Sequence, residues 1–356
     1  MEKRRGLVRF GVRPSILLIL FVLCSSFAMG QQSSALANPA PGMIYLDVVV
    51  TPKSGPPVSG LQEQDFKVLD NKTRVPINSF QALSGDKAAI EVVLVVDDVN
   101  TGIEHVAYER SEIDKFLRAN GGKLPFPTSL AVLTDSGLKV QDVFSSDGNA
   151  LSAALDNNEV GLHSILRSGG IYAAEERFEA SIQALLQLAN HEAARPGRKF
   201  VVWISPGWPL LSGPGVEEQM DNKQRQDIYN NVVGLSNLLR QGRITLYSID
   251  PLGSADFAGR AFYWQGFTKG ISKPSEADWG DIALQVIATQ SGGMALTTGN
   301  DVTAELQKCL ADAEAYYEIS FAAPLDTKHG EYHRVEVQVA KGGVTARTRQ
   351  GYYFRP

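Results

Sequence analysis

Few residues in this sequence have the types and spacings that catalytic or metal chemistry needs. His329 and His333 are four apart, which suits zinc ligands on a helix, but Gly330 and the strand pattern after it predict a solvated hairpin. Ser205 follows an apolar run as a nucleophile would, but Pro206 replaces the backbone N–H of an oxyanion hole. HExxH, CxxC and GxSxG motifs do not occur. The sequence therefore predicts that the protein is not an enzyme.

Two loops that follow apolar runs are rich in aromatic side chains. Trp208 lies after one run, and Arg260, Phe262, Tyr263 and Trp264 lie in a long loop after the next. Trp, Tyr, Phe and Arg are the usual anchors of protein interfaces, and loops of this length are often functional. We therefore expect a partner-binding surface here. The alternative is that these loops fold down over the sheet edge or dock onto the flanking β strands.

The elements that must position these residues follow the order β, then α/β, then β. Residues 42–86 contain short strand-like runs without a helix-length period. Residues 87–314 alternate apolar runs with amphipathic stretches, which predicts a doubly wound, mostly parallel α/β sheet. Residues 315–356 return to period-two strands. We expect them to pair with residues 42–86 in one small β-sandwich, because neither half alone is large enough to be stable.

Within residues 87–314, the first apolar run is Ile90–Val96, and parallel strands place loop chemistry at their carboxyl ends. The pattern predicts an edge strand over residues 138–144. It predicts helices over residues 104–118, 171–194, 217–241, 281–290 and 301–313.

The N-terminus has the pattern of a secretory signal. Five Lys and Arg residues precede the short apolar run Ile16–Leu23, and small residues follow it. We expect cleavage after Gly30 and a linker over residues 31–41; an uncleaved anchor is the alternative, but the run is short for a membrane span. The leader holds five basic residues and one acidic residue, so its removal changes the net charge from −5 to −9. We therefore expect a periplasmic or secreted protein that does not bind nucleic acid.

Several stretches resemble a von Willebrand factor A-type domain, in particular the exported bacterial family called von Willebrand factor A-related. They include Val95-Val-Asp-Asp-Val-Asn-Thr101, residues 195–208 and Leu246-Tyr-Ser-Ile-Asp-Pro251. The resemblance covers residues 42–356 and implies binding of a protein partner in the envelope or outside the cell. It thus favours a non-enzymatic adhesion or recognition module. The alternative is an envelope scaffold that self-associates through its β unit.

The resemblance also implies a divalent metal site at the strand ends. Asp97, Asp98, Asn100, Thr101 and Ser205 occupy the corresponding positions, but a hydroxyl ligand and a carboxylate of the family pattern are missing. Mg²⁺ prefers hard oxygen ligands in an octahedral arrangement. We therefore expect a degenerate site that binds Mg²⁺ or another divalent cation weakly at most. The alternative is a cap and turn in which Asn100 hydrogen-bonds to the backbone.

Overall fold

The computed structural model describes residues 42–355 apart from residues 158–169, 210, 212–219, 254–261, 298 and 300. The predicted signal peptide and linker lie outside the described residues. The described chain begins with the strands β1 (Met43–Pro52), β2 (Phe66–Asp70), β3 (Thr73–Val75) and β4 (Ser79–Ser84).

A mixed sheet forms the centre of the molecule. Its strands are β5 (Ile90–Asp97), β6 (Lys123–Thr134), β7 (Gly137–Val140), β8 (Ser145–Asp147), β9 (Arg198–Ile204), β10 (Ile244–Ile249) and β11 (Ala295–Leu296). The order is β11-β10-β9-β5-β6-β7, with β8 also on β6. The neighbours from β11 to β6 are parallel, and β7 is antiparallel to β6. The predicted doubly wound, mostly parallel sheet is confirmed.

Helices cover both faces of this sheet, namely α1 (Ile103–Arg118), α2 (Gly148–Asn157), α3 (Gly170–Ala193), α4 (Asn222–Gln241), α5 (Leu284–Gln290) and α6 (Val302–Ala311). Strand β5 is buried on both faces: Val93 and Val95 join one core with α3, α4 and α5. Val92 and Leu94 join the other core with α1, α2 and α6. None of the described helices is long and apolar enough to span a membrane.

The structure corrects three predicted boundaries. Helix α4 begins at Asn222 because Asp221 caps it by accepting from the Gln224 N–H; residues 217–219 lie outside the described part. The predicted helix over 281–290 is a 3-10 turn and then α5, because Ala283 has extended backbone angles between them. The predicted edge strand ends at Val140.

The chain closes with β12 (Ala315–Ala322), β13 (Tyr332–Val339), β14 (Val344–Arg347) and β15 (Gly351–Tyr353). Two antiparallel sheets result, β14-β1-β12-β4 and β15-β13-β2-β3, so each combines strands from both ends of the chain. Their inner faces share one core that includes Phe66, Tyr317 and Tyr352. The predicted sandwich built from both ends of the chain is confirmed.

Candidate functional site

The strand order of the central sheet reverses between β5 and β9. We number the main strands of this sheet by their order in the chain and leave out β8. Read from β7, they then lie in the order 3-2-1-4-5-6. In such sheets, ligands bind at the carboxyl ends of the strands where the order reverses. Strand β5 ends at Asp97, and Ser205 directly follows β9. We call this place the switch-point edge.

Asp97 is the hub of the switch-point edge. The carboxylate is fully buried. Its Oδ1 accepts a hydrogen bond from the Asn100 backbone N–H at 2.9 Å. Its Oδ2 accepts from Asn100 Nδ2 and from the Trp203 indole Nε1, each at 2.9 Å. Burial raises the pKa of Asp97, and the hydrogen bonds from Asn100, Trp203 and Ser205 oppose that rise. The carboxylate therefore joins β5 to β9 through donors of the protein itself.

Asn100 extends this network to α3. Its Nδ2 donates to Ser181 Oγ at 2.8 Å, and Ser181 Oγ donates to the Arg177 carbonyl at 2.7 Å. Ser205 is also fully buried, and its Oγ accepts the Gly207 N–H at 3.1 Å. Asp97, Asn100 and Ser205 thus come together, as the sequence positions suggested.

Asp98 and Thr101 have different partners from Asp97. Asp98 forms an ion pair of 2.7 Å with Arg110 Nη2 of α1, and Arg110 also donates to the Leu155 carbonyl of α2. Thr101 Oγ1 donates to Glu109 Oε2 at 2.6 Å. Burial raises the pKa of Glu109 well above its usual range, and the charges of Asp97 and Asp98 raise it further. The polar groups around Asp98 and Thr101 therefore belong to α1 and α2 rather than to α3.

The two carboxylates of the predicted metal site are already engaged by groups of the protein itself. Mg²⁺ needs several free oxygen ligands that point at one position. Both oxygens of Asp97 already accept hydrogen bonds, and the Arg110 guanidinium lies against Asp98. In the described part of the chain, no group of three or more His, Cys, Asp or Glu side chains could hold a metal. We assign no step to a metal ion.

The aromatic loops differ from their expected roles. Trp208 is 7% exposed and meets Trp203 edge-on at 5.3 Å between ring centroids. It covers the sheet edge, as in the alternative to a partner-binding role, and its burial corrects its assignment as a partner-binding residue. Tyr263 and Trp264 are half-buried, Phe262 is 55% exposed, and Arg260 lies outside the described residues.

The segment after Phe262 docks against both units of the fold. Tyr263 packs on Phe267 at 5.1 Å, and Trp279 meets Phe178 of α3 at 5.4 Å. Further along, the Ile271 carbonyl accepts a hydrogen bond from Tyr353 of β15. At Ile271 this segment therefore docks onto the β-sandwich, which was the alternative to a partner-binding surface.

Exposed apolar side chains lie in the first turns of two helices, α1 and α3, and we call them the apolar rim. Ile103 is 67% exposed at the start of α1, and Ile171 and Tyr172 are 40% and 77% exposed at the start of α3. Ser181 is in contact with Asn100 near the strand ends, and Ile171 precedes Ser181 on the same helix. From the rise per residue of an α-helix, the first turns of α3 extend roughly 15 Å beyond the strand ends. Phe262 is also exposed, and it follows β10 in the chain.

Sequence reasoning missed Trp203, Ser181 and Arg110, and it also missed the exposed side chains of Ile103, Ile171 and Tyr172. Trp203 lies inside an apolar strand, where only the register with β5 shows that it faces Asp97. A detectable signal was present for Ile171 and Tyr172, since two large apolar residues precede the amphipathic pattern of α3.

No protein-family profile matches this chain, and no curated protein matches it. Among solved structures, the pilus adhesin SpaC from Lactobacillus rhamnosus GG is 9% identical with a TM-score of 0.39, over 82% of this chain and 49% of that one. The SpRpn10 VWA domain is 12% identical with a TM-score of 0.29, over 61% and 94%. The manganese-loaded TRAP protein of Plasmodium vivax is 10% identical with a TM-score of 0.31, over 76% and 97%. The chain spans about half of the adhesin. These TM-scores are low, so the fold assignment rests on the strand order.

Proposed function

We propose that this protein is an exported, non-enzymatic interaction module that binds a protein partner at the switch-point edge. The observation that carries the proposal is the apolar rim. We take Ile103, Ile171 and Tyr172, which are exposed in the first turns of α1 and α3, to form one interaction surface at this edge. Contiguous exposed apolar groups at one place indicate an interaction site, whereas single ones do not.

The base of the proposed site is rigid. Asp97 receives its hydrogen bonds from β9 and from the turn before α1, and Asn100 connects that turn to α3. These bonds hold the turn before α1, and therefore Ile103, in place, and they attach that turn to the middle of α3. A rigid base reduces the conformational entropy that a partner would have to remove on binding. Buried Asp97 thus acts by positioning, and partner binding does not require a metal.

Partner capture tests this proposal. The purified protein, immobilised on a matrix, is exposed to the native envelope and extracellular fractions. Ile103→Ser combined with Tyr172→Ser should lose the captured partner, because interface anchors of this kind each contribute about 2 kcal/mol or more. Val143→Ser combined with Leu325→Ser is the matched control, since these side chains are also exposed but lie elsewhere.

Circular dichroism melting must show that both variants remain folded. Equal partner capture by the rim variant and the control variant would refute the rim as the binding site. Capture that disappears with a chelating agent would refute the metal-independent mechanism while leaving the rim in place.

A further inference from the structure

Among the described residues, strand β4 has no neighbouring strand on its outer side and so forms an edge of the β-sandwich. It pairs with β12 on one side and ends the sheet β14-β1-β12-β4 on the other. Ser79, Gln81, Ala82 and Ser84 are exposed. The strand Ser79-Phe-Gln-Ala-Leu-Ser84 contains no charged residue and no proline. Unprotected strands of this kind are templates for pairing with another strand.

The direction of the backbone groups of β4 follows from its register. Gly85 N–H donates to the Glu314 carbonyl. The backbone N–H and C=O groups of the odd-numbered residues of β4 therefore point to β12. Independently, Ala323 N–H donates to the Gly42 carbonyl. The backbone groups of the odd-numbered residues of β12 therefore point to β1, and those of the even-numbered residues point to β4. Both observations leave the N–H and C=O groups of Phe80, Ala82 and Ser84 pointing away from the sheet.

The other sandwich edges carry protection that β4 lacks. Strand β3 has only three residues and includes Arg74. Strand β15 is buried, and its Tyr353 packs against Tyr229 of α4. Strand β14 has four residues and ends in Arg347, which pairs with Asp312. Short length, charge and coverage are the usual means of blocking strand addition.

We propose that β4 pairs antiparallel with β4 of a second copy of this chain about a two-fold axis at Ala82. This register uses all three outward-facing residues: Ala82 lies opposite Ala82, and Phe80 lies opposite Ser84. Each such pair exchanges two main-chain hydrogen bonds, which gives about six in total. The two four-stranded sheets then form one continuous sheet.

A second copy is favoured over a foreign peptide by the composition of the strand. In the two-fold arrangement, no charged side chain lies opposite another. In the non-hydrogen-bonded pairs, Gln81 lies opposite Leu83. The strand presents no charged side chain that would select an unrelated peptide. Within β4, the ring of Phe80 packs on Phe66 of the same chain at 5.4 Å between ring centroids. This contact holds the strand in place for a partner strand.

Cysteine cross-linking tests the register directly. Hydrogen-bonded antiparallel pairs have Cα atoms about 5.5 Å apart, which a disulfide can span. Ala82→Cys should therefore give a covalent dimer under mild oxidation. The native Cys309 is buried and does not compete. Thr345→Cys, an exposed position on the opposite edge strand β14, is the matched control and should stay monomeric on a non-reducing gel.

Size-exclusion chromatography with light scattering gives the second measurement. The wild-type protein should have twice the mass of one chain, and Ala82→Lys should halve that mass, because two lysines then lie opposite each other. Thr345→Lys should leave the mass unchanged. A monomeric wild-type protein, equal cross-linking at residues 82 and 345, or a dimer that survives Ala82→Lys would overturn the proposal. A monomer in which the outward-facing amides of Phe80, Ala82 and Ser84 resist hydrogen exchange would show that another segment covers the edge, and would overturn the proposal as well.

Discussion

Replacing Trp203 by phenylalanine isolates the hydrogen bond that joins β9 to Asp97. Trp203 is fully buried, and its Nε1 donates to Asp97 Oδ2 at 2.9 Å. Trp208 is a matched control: it lies in contact with Trp203 and is 7% exposed. In the described part of the chain, its Nε1 has no hydrogen-bond partner. Both substitutions remove similar ring volume, but only Trp203→Phe removes a donor from a buried carboxylate.

The loss of ring volume should cost on the order of 1–2 kcal/mol in either variant. A hydrogen bond to a charged group contributes about 1.5–3 kcal/mol, so Trp203→Phe should destabilise the protein by that much more than Trp208→Phe. Urea denaturation followed by far-UV circular dichroism measures both free energies of unfolding.

A double-mutant cycle with Asp97→Asn adds a stricter test of the same contact. The extra cost of Trp203→Phe should shrink in the Asp97→Asn background, because the charged acceptor is then absent. If Trp203→Phe and Trp208→Phe cost the same in the wild-type background, the indole–carboxylate bond does not stabilise the switch-point edge, and the positioning role of Asp97 is wrong.

Three further predictions concern pH, metal and chain connectivity. Burial raises the pKa of Asp281 from 3.8 to about 7, so the folded state binds this proton more tightly than the unfolded state and loses stability as the pH rises between those values. Asp281→Asn should remove up to about 4 kcal/mol of that pH dependence, measured by urea denaturation at pH 4 and pH 8; an unchanged profile contradicts the assignment. Isothermal titration should show no binding of Mg²⁺, Mn²⁺ or Ca²⁺ tighter than millimolar, and tight binding lost in Asp97→Ala would contradict the fit argued above. Deleting residues 316–356 should abolish hydrogen-exchange protection in residues 42–84, because β1 and β4 pair with β12; retained protection there would contradict a shared sandwich.

Those parts of the fold were predictable in which the burial of a single helix or strand determines its sequence pattern. The run Ile90–Val96 is apolar at every position but Glu91, and a strand between two helical layers must bury both faces. The terminal strands alternate with period two, and each half is too small to be stable alone. These local requirements predict the central sheet and the composite sandwich without knowledge of the register.

The contacts of the site depend on register and on distant segments, which a single sequence does not encode locally. Val95 lies opposite Trp203, so the same face of the sheet carries Trp203 and Asp97. Ser181 reaches Asn100 across 81 positions of the chain. Trp208 was predicted as a surface anchor because its residue type suits an interface, but the same ring buries equally well against Trp203. Composition predicts that an aromatic side chain makes contacts, and only packing decides with what.

The two proposed surfaces reinforce each other. The switch-point edge lies at the carboxyl ends of the central strands, whereas the sandwich joins the amino ends through Arg243 and Asp47. Pairing through β4 therefore leaves the apolar rim of each copy uncovered and gives a particle with two binding edges. Two linked sites bind a surface that carries many copies of a partner more tightly than either site alone, without any new contact. Ala82→Lys should then weaken binding to a dense partner layer and leave binding to a single soluble partner unchanged, whereas Tyr172→Ser should weaken both.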